Sequence, residues 1–112
     1  MDALLNVWIF GGIILAVGLI YKFFPPKKIN NWYGYRTARS MNSQEVWEYA
    51  NKLGPNLIFA GGFLSILVGS ITAYLQPEKA NTAALVAMFV GAIGGIVWIE
   101  GKLNKKFGKP NP

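Results

Sequence analysis

The sequence predicts an all-α membrane protein, with three transmembrane helices and a polar segment that carries a short interfacial amphipathic helix. Composition, length and the spacing of apolar blocks predict it together. Hydrophobic residues make up 53% of the chain and charged residues only 14%, against about 25% charged in an ordinary soluble protein. With 112 residues the chain has room for one domain, 1–112, and a domain of that size cannot hide so much apolar material within itself. Apolar blocks run at about 3–24, 55–75 and 82–100, each close to the roughly 20 residues that cross a hydrocarbon core of ~30 Å.

The first block, Ala3 to Phe24, is ended by Pro25-Pro26, because proline inside a helix loses a backbone bond and clashes with the preceding turn. It is not read as a signal peptide: Asp2 is its only early charge, and Lys22-Phe23-Phe24-Pro25-Pro26 offers no small-residue cleavage site. Trp8 and Tyr21, near its two ends, fit an aromatic belt at the membrane borders. The second block enters through Gly54-Pro55 and runs from Leu57 to Leu75. Gln76 to Asn81 is a short hairpin loop, and Asn81 or Thr82 is the expected cap of the third block. That block exits at Trp98 to Glu100, and Gly101 to Pro112 is expected as a basic, frayed tail.

Lysine and arginine set the expected orientation. The segment 27–54 holds Lys27, Lys28, Arg36, Arg39 and Lys52, and the tail holds Lys102, Lys105, Lys106 and Lys109, whereas the loop between the second and third blocks has only Lys79. Three crossings put the two basic stretches on one face. By the positive-inside rule that face is cytoplasmic and the N-terminus of this multi-pass protein lies outside.

In lipid, helices associate through small residues that let their backbones approach. Gly61, Ser65, Gly69 and Ala73 recur every fourth position in the second block, as do Ala83, Ala87, Gly91 and Gly95 in the third. Residues four apart share a helix face, so the two stripes are expected to face each other across the tight loop. A homodimer seam is the other use for such a stripe.

Within 27–54, Met41 to Leu53 reads as a short helix. Asn42 is the expected N-cap with Glu45 closing a capping box, and Val46, Tyr49, Ala50 and Leu53, with Trp47 beside them, form the apolar side. Such a helix is expected to lie in the headgroup layer. The run before it packs aromatics, arginines and a glycine between Trp32 and Arg39, and is the expected recognition surface by composition. Guanidinium groups grip phosphates and carboxylates, so Arg36 and Arg39 suit lipid headgroups, a peptide carboxylate or an acidic partner. Internal pairing with Glu45, Glu48 or Glu100 is the structural alternative, and headgroup or solvent is the favoured setting for Arg39. Gly34 between aromatics suggests a turn or a close backbone approach.

The run Ile29-Asn30-Asn31-Trp32-Tyr33-Gly34-Tyr35-Arg36-Thr37-Ala38-Arg39-Ser40-Met41, followed by Glu45, Trp47 and Ala50-Asn51, resembles the signature of the SdpI/YfhL family of small bacterial membrane proteins. Ala38 stands where that family usually has proline between the threonine and the arginine. The resemblance implies Asn30, Trp32, Tyr33, Gly34, Tyr35, Arg36, Thr37, Arg39, Ser40, Trp47 and Asn51 as the binding motif. It also implies immunity to a secreted, membrane-active peptide toxin, and a signalling role in which a cytoplasmic transcriptional repressor is held at the membrane. Longer members carry additional membrane helices, so a three-helix chain corresponds to the minimal unit.

Partners expected from these readings are membrane lipids, a peptide toxin, a cytoplasmic protein and a second copy of the chain. Nucleic acid is not among them, since juxtamembrane lysines attract anionic lipid by default. The chain has no cysteine or histidine. Thiol chemistry, the usual zinc ligands and the default general base are therefore absent, and no enzyme activity, metal or cofactor is expected. A small dimeric transporter or channel is the alternative. It would need an ionisable group in mid-membrane, and Asp2, Lys22 and Glu100 all stand at block ends.

Overall fold

A computed structural model describes residues 2–109 as an all-helical bundle measuring 49 × 28 × 19 Å. Its elements are α1 (Asp2–Phe23), α2 (Gln44–Leu75), a 3₁₀ turn (Pro77–Lys79) and α3 (Ala80–Phe107). All three helices are long and apolar enough to cross a membrane. Helix α2 is the centre of the bundle, packing most extensively on α3 and also along α1. The linker 24–43 and the C-terminal turns of α3 meet at one end of the molecule; Trp8, Ser70 and Ala84 mark the other.

The amphipathic segment expected as a separate interfacial helix is instead the opening of α2, which runs unbroken through Pro55. Pro55 forfeits the N–H that would have met the carbonyl of Asn51 and crowds that carbonyl with its ring. The flanking turns are fixed by burial of Val46, Trp47, Ala50 and Asn51. At about 1.5 Å per residue the 32 residues of α2 extend ~48 Å, well beyond a hydrocarbon core. The helix therefore stands proud of its apolar span at the linker end.

Capping differs from expectation at both junctions. Ser43, not Asn42, is the N-cap of α2; its backbone is extended and its Oγ accepts from Val46 N–H at 3.2 Å, so Glu45 falls one position short of a capping box. Helix α3 starts at Ala80, directly after the 3₁₀ turn that Pro77 opens, with no side-chain cap from Asn81 or Thr82. The tail is helical to Phe107, where fraying was expected from Gly101. Contacts with Tyr49 help to hold it: Phe107 stands edge-on to Tyr49 with centroids 5.8 Å apart, and the Lys106 ammonium lies 4.7 Å from the Tyr49 ring centroid. The last part of the expected tail, 110–112, lies outside the described residues.

Small residues bring α2 and α3 together. A β-carbon placed on Gly91 would lie 2.9 Å from both Ala60 O and Gly61 Cα, and one on Gly95 would lie 2.9 Å from Leu57 Cα. Farther along, Gly69 faces Val7 of α1 and Ala84 of α3 at once. Ala87 is buried and Ala73 packs on the cluster of Val7, Ala80 and Ala84. Ala80 and Ala84, not Ala83, are the fully buried alanines at that end of α3. Ser65 is completely buried in α2, and its hydroxyl has no hydrogen-bond partner among the described residues.

Candidate motif-loop site

The site is built on a side chain that folds a loop. Asn51 sits on the buried face of α2, 2% exposed. Its Oδ1 accepts from Tyr35 N–H at 2.6 Å, and its Nδ2 donates to Trp47 O at 3.0 Å and reaches Tyr35 O at 3.4 Å. The carboxamide thus pairs with both backbone groups of Tyr35, as a neighbouring strand would. Tyr21, from the last turn of α1, completes the knot: its hydroxyl donates to Asn51 Oδ1 and also accepts from Tyr35 N–H at 3.0 Å. The sequence suggested a membrane-border aromatic at Tyr21; the structure buries it as a hub. Gly54 makes room for it, since a β-carbon there would run into the Tyr21 hydroxyl and ring.

The linker is shaped to reach this knot. Asn30 Oδ1 accepts from Trp32 N–H at 2.9 Å and Tyr33 N–H at 2.8 Å, an Asx turn that reverses the chain. Gly34 follows at φ 112°, a backbone setting open to glycine, with Asn51 Oδ1 and Pro26 Cγ where a β-carbon would go. Trp47, fully buried, donates its indole N–H to Pro26 O at 2.9 Å. Beyond Tyr35, Thr37 and Ser40 lock a turn reciprocally. Thr37 N–H donates to Ser40 Oγ at 2.8 Å and Ser40 N–H donates to Thr37 Oγ1 at 3.0 Å, while the Ser40 hydroxyl lies 2.9 Å from Tyr35 O.

Helix α3 supplies the third anchor. Tyr35 Oη donates to Glu100 Oε2 at 2.6 Å, and Thr37 Oγ1 reaches the same oxygen at 3.4 Å. Burial, reinforced by the Glu100 carboxylate, pushes the Tyr35 phenol well above its ordinary range, so it stays a neutral donor. Arg39 donates to Asn104 Oδ1 at 2.8 Å and to Gly108 O, tying the loop to the end of α3. This replaces the headgroup or solvent setting favoured for Arg39. Arg36 donates to Asn31 O within its own loop and is exposed. Trp32, 91% exposed, stands free of the fold.

The predicted motif residues therefore divide. Gly34, Tyr35, Thr37, Ser40, Trp47 and Asn51 are drawn together, Arg39 binds α3, Asn30 and Tyr33 shape the reversal, and Trp32 and Arg36 face outward. The sequence reading missed Tyr21 as a member, and named Glu100 only as a carboxylate for arginine. A cleft of about 780 Å³ opens beside this knot, lined by Thr37, Arg39, Asn42, Glu100, Phe107 and Lys109 among others. Among the described residues its lining brings two cations, one carboxylate and apolar side chains into one concavity.

The SdpI/YfhL protein family model matches residues 27–99, which takes in the linker, α2 and most of α3. YfhL of Bacillus subtilis (strain 168) is 41% identical over 70 residues. That match covers 59% of this chain and 64% of the relative, just under two thirds of its length. No solved structure matches the chain.

Proposed function

Because the chain belongs to the SdpI/YfhL protein family, we propose that it protects a bacterial cell membrane against a membrane-active peptide toxin, acting by binding and not by catalysis. The observation that carries this reading is the cleft beside the motif. Arg39, Lys109 and Glu100 line it, and Phe107 and Val46 add apolar residues to the lining. A peptide segment carries cationic, anionic and apolar groups in the same few residues, and this lining answers all three. The buried half of the motif then serves to hold the cleft in shape. The basic end of the molecule, with this cleft, faces the cytoplasm, and the N-terminus lies outside.

The test expresses the chain in sensitive cells and challenges them with the secreted peptide against which the family's namesake protects. The unsubstituted chain is expected to confer survival. Glu100→Gln and Arg39→Gln should each lower the tolerated peptide dose roughly tenfold, the loss of one charge-assisted contact, at equal protein levels in the membrane. No protection by the unsubstituted chain, or full protection by both variants, overturns the proposal.

A further inference from the structure

At the same end, a second concavity of about 450 Å³ lies between α1, the linker and α2, with Asn51 in its lining. Three lysines line it from three separate parts of the chain: Lys22 from the last turn of α1, Lys27 from the linker and Lys52 from α2. Glu48 is the one carboxylate in the lining, so the concavity carries a formal excess of positive charge. Pro26 and Pro55, both buried, give it a rigid wall. None of these lysines takes part in the knot around Asn51 or in the cleft beside Glu100.

We propose that this concavity binds a phosphate-bearing anion, with the headgroup of an anionic phospholipid as the source the surroundings favour. Lysine recognises phosphate as a compact point charge, and basic pockets between membrane helices suit anionic headgroups. Its depth fits. Lys22 closes the apolar span of α1 just before Pro25-Pro26, and Lys52 stands one turn before Pro55, where the apolar part of α2 begins. That is the level at which lipid phosphates lie. Phe23 and Phe24, both exposed beside it, offer apolar surface to the upper acyl chains. The site does not depend on the toxin reading.

Native mass spectrometry of the full chain in neutral detergent tests it, titrating in phosphatidylglycerol, phosphatidylcholine or glycerol 1-phosphate. The unsubstituted chain should retain phosphatidylglycerol and release phosphatidylcholine. The triple variant Lys22→Gln, Lys27→Gln, Lys52→Gln should bind phosphatidylglycerol at least about tenfold more weakly, in line with the attraction of several juxtamembrane cations. The triple Lys→Arg variant should bind normally. A charge-matched control, Lys79→Gln, Lys102→Gln, Lys105→Gln, removes three cations elsewhere and should leave binding intact. Retention of glycerol 1-phosphate, lost in the same triple variant, would assign the site to soluble phosphate esters instead of lipid. Equal losses in the control, or retention of neither anion, overturns the site.

Discussion

Asn51 is the residue on which the motif turns. Its carboxamide meets the N–H and C=O of Tyr35 and the hydroxyl of Tyr21 in one buried place. Asn51→Leu keeps the volume and removes the partners, leaving the Tyr35 N–H with the Tyr21 hydroxyl as acceptor and the Tyr35 carbonyl with the Ser40 hydroxyl as donor. The expected destabilisation is about 1–3 kcal/mol, measured by denaturant unfolding in detergent; an unchanged midpoint would show the knot contributes nothing. Much of this was hidden at the residue scale. Gly34 could be singled out because glycine between aromatics signals an unusual backbone, and its positive φ agrees. Tyr21 could not, since it lies 30 residues before Asn51, and a tyrosine near a span's end has a sufficient local explanation in the membrane border.

The helices themselves are plain from composition, since a run of apolar residues has one stable form in lipid. Their ends were harder. Helix α2 continues back to Gln44 and α3 on to Phe107 because tertiary packing of Trp47, Tyr49 and Phe107 outweighs the local stop signals at Gly54-Pro55 and Gly101. Contact between the small-residue stripes has a specific consequence for α3. Gly91 touches the backbone of Ala60 and Gly61, whereas a β-carbon on Gly94 would meet nothing within 4 Å. Gly91→Leu should therefore cost about 1–3 kcal/mol through overpacking, while Gly94→Leu should stay within about 0.5 kcal/mol. Equal effects in detergent unfolding would contradict the α2–α3 interface described here.

Across the whole molecule, charge and anchoring share one end. The linker lysines and arginines, the end of α3 and both concavities gather there, while Lys79 stands near the opposite turn. The positive-inside rule then predicts a cytoplasmic location for that end. A membrane-impermeant amine reagent applied to intact cells should modify Lys79 and spare Lys105; the reverse pattern would invert the orientation. Hydropathy and charge make the gathering of cations at one end of three apolar helices legible in the sequence. They could not show that the linker folds back onto the bundle, because its anchors are spread over α1, α2 and α3 with no spacing to betray them.

That folding-back is the centre of the account, and Tyr35 with Glu100, 65 residues apart, measures it most directly. A double-mutant cycle of Tyr35→Phe and Glu100→Gln, read by unfolding in detergent, isolates their interaction. The hydrogen bond between phenol and carboxylate predicts a coupling of about 1.5–3 kcal/mol. Additivity to within roughly 0.3–0.5 kcal/mol would contradict the contact of Tyr35 with Glu100 and the folding-back it reports.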